Sequence, residues 1–108
     1  MNTKEIAEKL NLRVLTDGED REVTGCYCGD LLSWVMSRAK SGDIWLTVMG
    51  NVNAIAVTTL ADISAIVLTE NATLDADAKT KAEMMGITIF ATDKNTYQTA
   101  VEISELIK

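Results

Sequence analysis

The chain has 108 residues, of which 47% are hydrophobic and 24% charged, the balance of one folded domain and not of a disordered segment. Ten Lys and Arg against sixteen Asp and Glu leave a net charge of −6, which excludes the clustered positive face that nucleic acid requires. No basic segment followed by an apolar one opens the sequence, so a signal peptide is not expected, and two cysteines without secretory context suit reduced thiols in a cytoplasm.

Thr3 to Leu10 places Ile6, Ala7 and Leu10 on one helical face. Leu12 to Thr16 reads as a short strand, followed by the polar turn Asp17-Gly18-Glu19-Asp20. Val23 to Cys28 is a second strand. Asp30 is positioned to cap a helix running to about Lys40, since its carboxylate can accept free backbone N–H groups of the first turn. Ile44 to Met49 is a strand and Asn51 to Leu60 a helix. The uncharged run from Ile44 to Ala61 approaches membrane-spanning length, but Gly50, Asn51 and Asn53 at its centre would be costly in lipid. A buried strand, tight turn and buried helix fit it better, and no membrane partner is expected.

Ala65 to Leu68 is the next strand. Asp75 to Met85 follows as a helix, capped by Asp75, stopped by Gly86 and burying Ala78, Ala82 and Met85. Ile87 to Ala91 is the last strand, and Asn95 to Ile107 a closing helix. Short apolar strands alternating with helices predict an α/β fold, a small parallel or mostly parallel sheet flanked by helices. The whole of residues 1–108 reads as one such domain.

Two helices are more apolar than a helix exposed on one side should be. Leu31, Leu32, Trp34, Val35, Met36 and Ala39 cover far more than a stripe of about 100°, as do Val52, Ala54, Ile55, Ala56, Val57 and Leu60. Burial within the domain is one explanation. A homodimer through Leu31, Trp34, Val35, Val52, Ile55 and Ala56 is the expectation favoured here, because a small domain has few sites buried on two sides.

Three groups of residues could carry chemistry. Cys26 and Cys28 lie two apart on a strand and so share a face, which permits a metal or redox site. Structural zinc wants four ligands, however, and the chain has no histidine and no third cysteine. A buried, inert role for both is the preferred reading. Gly50 and Asn51, with Asn53, form a strand-to-helix turn whose free N–H groups could meet an anion, though no phosphate-loop motif is present. Thr69, Glu70 and Asn71 after one strand, and Thr92, Asp93 and Thr96 after the last, fall at carboxyl ends, where open parallel sheets collect ligands. A small anionic or nucleotide ligand is expected along Gly50, Asn51, Asn53, Thr69, Glu70, Thr92, Asp93 and Thr96. Without histidine, a nucleophile motif or a cysteine beside a base, no catalytic residue and no cofactor are expected.

The segments EVTGCYCGDLLSWVM, GDIWLTVMGNVNAIAV, AIVLTEN and GITIFATDKNTYQTAVEI together resemble the DRTGG domain family, from about Leu12 to Ile107. The resemblance implies a small α/β sandwich like the N-terminal domain of HPr kinase/phosphorylase, found also beside CBS domains in some pyrophosphatases. It further implies self-association and a regulatory or interaction role without catalysis, which includes binding of a protein partner. The family's Asp-Arg pair falls at Asn51 and Val52, so the arginine is absent. Its Thr-Gly-Gly falls at Thr69-Glu70-Asn71, where only the threonine remains, while Asp93, Thr96 and Tyr97 keep the closing pattern.

Overall fold

The computed structural model describes residues 1–107. The chain runs α1 (Thr3–Leu10), β1 (Arg13–Thr16), β2 (Gly25–Cys28), α2 (Leu32–Arg38), β3 (Asp43–Thr47), α3 (Val52–Leu60), β4 (Ala65–Leu68), α4 (Ala76–Met85), β5 (Ile89–Ala91) and α5 (Thr96–Leu106). The five strands form one sheet in the order β1-β5-β4-β3-β2. β2 to β5 are mutually parallel and β1 pairs antiparallel with β5, so the expected α/β class with a mostly parallel sheet is what the chain adopts.

Alternation along the central strands splits the core in two. Trp45, Ile66, Leu68, Ile89 and Ala91 face one layer, where they meet Val35 of α2, Ala54, Ile55 and Val57 of α3, and Ala78 and Ala82 of α4. Ile44, Leu46, Ala65, Val67 and Phe90 face the other, against Ile6 and Ala7 of α1 and Ile103 of α5. β3, β4 and β5 are buried along their whole length, which is why they read as unbroken apolar runs. Each fully buried Ile, Leu or Val contributes about 1.5–3 kcal/mol relative to exposure.

The capping residues were read partly correctly. Asn51 accepts from the Ala54 N–H at 3.0 Å and Asn95 from the Gln98 N–H at 2.8 Å, while Gly86 ends α4 with φ 70°. Asp30 does not cap α2. Its Oδ1 accepts from the Thr47 hydroxyl at 2.8 Å and the Val48 N–H at 2.9 Å, so it ties the end of β2 to the end of β3. Leu31 occupies the cap position instead, and α2 ends at Arg38 because Ala39 is extended. Asp75 occupies the cap of α4 without a side-chain bond, and Met85, expected inside, is 43% exposed.

The apolar helices also divide. α3 packs between α2 and α4 over the sheet, and this covers Ile55 completely. Val35 of α2 is likewise fully buried under its own chain. Both are therefore withdrawn from the expected dimer surface: core packing uses them. Val52 and Ala56 are half-buried, whereas Leu31 and Trp34 are exposed at 57% and 50%. Among the described residues no helix is long and apolar enough to cross a membrane.

Candidate functional site

Helices α2, α3 and α4 lie on one face of the sheet, and α5 on the other. The chain leaving β4 therefore turns to the first face, and the chain leaving β5 turns to the second. Between the carboxyl ends of these neighbouring strands lies the topological switch point, where α/β sheets open a crevice. Here the crevice is closed by its own loops. Thr92 N–H donates to the Leu68 carbonyl at 2.9 Å, Asn71 N–H to the Thr92 carbonyl at 3.1 Å, and Glu70 N–H to the Lys94 carbonyl at 2.9 Å. The Thr69 and Thr96 hydroxyls meet at 2.7 Å, and a Glu70 carboxylate oxygen accepts from Thr96 N–H at 3.3 Å. Thr69, Glu70, Thr92 and Thr96 are thus brought together, but they satisfy one another.

Glu70 and Asn71 both adopt left-handed backbone, φ 60° and 56°, inside a turn closed by the Ala72 N–H on the Thr69 carbonyl at 3.0 Å. Two successive left-handed residues are what a Gly-Gly pair supplies without steric cost. Glu70 and Asn71, at the positions of the expected Gly-Gly, therefore hold a backbone that glycines would adopt at less cost. Gly50 serves the same region by close approach. A Cβ there would stand 2.0 Å from the Thr73 carbonyl oxygen, and the Gly50 carbonyl accepts from Asp75 N–H at 2.8 Å. Asn51 is committed to its cap, and Asn53 is exposed on the first turn of α3.

The open space lies beside this closed crevice, on the α4 side. A cavity of about 340 Å³ is bounded by Arg13 and Leu15 of β1, Ala91 of β5, residues Asn71 to Leu74 of the β4–α4 connection, and Lys79 of α4. Leu15, Ala72, Leu74 and Ala91 give it an apolar part. Arg13, Asn71, Thr73 and Lys79 give it a polar part with two cations. Arg13 Nη1 donates to Asp93 Oδ1 at 2.8 Å, and Nη2 reaches Asn71 Oδ1 at 3.5 Å. A guanidinium has five donors, so both contacts leave capacity for an anion. Lys79 is exposed and, among the described residues, has no carboxylate within 4.0 Å.

None of the eight residues expected to bind ligand lines this cavity. Asp93 holds Arg13, Gly50 seats the wall at Thr73 and Leu74, Thr69, Glu70, Thr92 and Thr96 build the closed crevice, Asn51 caps α3, and Asn53 is exposed. Arg13, Thr73 and Lys79 were not singled out from sequence. Only the alternation that puts Arg13 and Leu15 on one face of β1 hinted at the first of them, and its pairing with Ala91 lies 78 positions away.

Cys26 is half-buried and Cys28 exposed, both as free thiols, so burial does not account for the second. The neighbouring Cys26 thiol lowers Cys28 to about 7, against the opposing effects of burial and the Asp30 charge. The same contact pushes Cys26 upward. Among the described residues no group of three or more His, Cys, Asp or Glu is placed to hold a metal ion.

Residues 5–106 match the DRTGG domain family. The chain belongs to that family. No curated protein matches it. Among solved structures, the CBS and DRTGG domains of the regulatory region of Clostridium perfringens pyrophosphatase, complexed with the activator diadenosine tetraphosphate, align with a TM-score of 0.72 at 16% identity. The alignment covers 94% of this DRTGG domain and 45% of that chain. At such low identity the likeness shows a shared fold.

Proposed function

We propose that this DRTGG domain is a non-catalytic regulatory module that binds a small phosphate-bearing ligand in the cavity between β1, β5 and α4. One observation carries the reading: Arg13 and Lys79 stand at the polar part of a cavity whose remainder is apolar. Two cations suit a phosphate, and the surface of Leu15, Leu74 and Ala91 suits a flat organic ring. About 340 Å³ is within the range of small-molecule pockets and is the scale of a mononucleotide. The pyrophosphatase regulatory region that shares the fold is complexed with a nucleotide, which is consistent with this chemistry. This chain spans less than half of that one, so the nucleotide informs the ligand class and not the position of the site.

In this reading the anion takes the donors of Arg13 that Asp93 and Asn71 leave free. Calorimetric titration with adenosine monophosphate, adenosine triphosphate and inorganic phosphate tests it. Saturable binding of at least one is expected. Arg13→Ala should weaken it by roughly tenfold to a hundredfold, the worth of a hydrogen bond to a charged group. Absence of binding for all three probes, or an unchanged affinity in Arg13→Ala, contradicts the reading.

The module also self-associates in this account, through the end of α2. Leu31 and Trp34 are one helical turn apart and both half or more exposed, so they form an adjacent apolar pair on the surface. The two free thiols suit a reducing, cytoplasmic setting.

A further inference from the structure

The cysteine pair on β2 has no part in the cavity, and its geometry supports a separate chemistry. β2 is an edge strand: it hydrogen-bonds to β3 on one side and has no strand on the other. Cys26 and Cys28 sit on the same face of it, the one that packs toward α5. Cys28 is the last residue of the strand and is exposed, whereas Cys26 is half-buried against the core. We infer that Cys26 and Cys28 form a dithiol modification site that closes to an intramolecular disulfide when it meets a low-molecular-weight disulfide, with Cys28 attacking and Cys26 resolving.

The accessible sulfur has to be the one that meets the reagent. The Cys26 thiol beside it favours the thiolate form of Cys28 near neutral pH. In the first step the Cys28 thiolate attacks one sulfur of the reagent disulfide. That S–S bond breaks, and one thiolate leaves. In the second, Cys26 gives its proton to the departed thiolate and its sulfur attacks Cys28, which breaks the mixed disulfide and expels the second thiolate; this takes from solvent the proton that Cys28 had released. The protein loses two electrons and two hydrogens, and the reagent is reduced to two thiols.

Closure requires the end of β2 to leave its extended form. Two residues along a strand stand about 6.6 Å apart at Cα and, with parallel side chains, about as far apart at Cβ, whereas a disulfide holds its Cβ atoms about 3.5–4.5 Å apart. Cys28 is the last residue of an edge strand, with Gly29 next in the chain, so it can turn toward Cys26 without breaking a central strand. Gly29 also gives the event a readout. Its carbonyl accepts from the indole N–H of the fully buried Trp45 at 2.9 Å, and its N–H donates to the Leu46 carbonyl at 3.2 Å. Movement of Cys28 is therefore transmitted to Trp45.

The test is incubation of the full chain with oxidised glutathione at neutral pH, followed by intact mass under non-reducing conditions. The expected product is the monomeric chain less two hydrogens, restored by dithiothreitol. Cys26→Ser should stop at a glutathione adduct on Cys28, and Cys28→Ser should react on the order of tenfold more slowly. In a Trp34→Phe background, closure should change the fluorescence of Trp45. A wild-type product that keeps glutathione on Cys28, one that links two chains, or an unreacted chain would each overturn the inference.

Discussion

Glu70 and Asn71 are two successive non-glycine residues in the left-handed region, φ 60° and 56°. A residue with a Cβ in the left-handed region costs roughly 1–2 kcal/mol, with Asn tolerated better than Glu. Glu70 has one partial compensation, its long 3.3 Å bond from Thr96 N–H on the exposed surface. Replacing Glu70 by Gly removes the steric cost, and the added freedom of the unfolded chain offsets part of the gain. Glu70→Gly should therefore raise the melting temperature by about 2–4 °C, which corresponds to roughly 0.5–1 kcal/mol. Glu70→Val should lower it, because a β-branched side chain suits this backbone least. Thermal unfolding followed by circular dichroism measures both, and a lower melting temperature for Glu70→Gly would mean the Thr96 contact outweighs the strain. At this scale the sequence was legible where the partner is local. Gly86 acts within a few residues of itself and ends α4 as its position in the sequence predicts. Asp30 binds Thr47 and Val48, which lie 17 and 18 positions on, and nothing local announced that.

The elements were legible because hydrophobic period and length agree along most of the chain. β3 and β4 are uninterrupted apolar runs bounded by turn residues, and α4 has a glycine exactly where its last carbonyls need a left-handed cap. What the period could not supply was the identity of the covering surface. The all-round apolar α3 is covered by α2, α4 and the sheet, so Ile55 belongs to the core. α2 stands at the edge of that helical layer, and Trp34 keeps half its surface exposed with the Arg38 guanidinium 3.8 Å over its ring. That stacking covers one ring face and leaves the other edge for a partner. A homodimer is expected by light scattering at micromolar concentration. Trp34→Asp should give a monomer with its melting temperature little changed, since the side chain is outside the core. A monomeric wild-type chain would remove self-association from the account.

For the whole molecule, the decisive feature is that β1 returns antiparallel beside β5. This pairing carries Arg13 across to the carboxyl end of a parallel strand, opposite Lys79 of α4 and beside the β4–α4 connection. The sequence supplied the parallel order and the edge at which ligands gather, but its polar residues at the switch point turned out to close the crevice. The cavity is assembled from three segments far apart in the chain, and no spacing rule joins Arg13, Thr73 and Lys79. Backbone-resolved NMR titration with adenosine monophosphate tests this most directly. The account predicts saturable shifts at the amides of Arg13, Leu15, Asn71 to Leu74 and Ala91, lost in Arg13→Ala. Shifts centred instead on Asn51 to Asn53 or Asn95 to Thr96, or none at millimolar ligand, would contradict it.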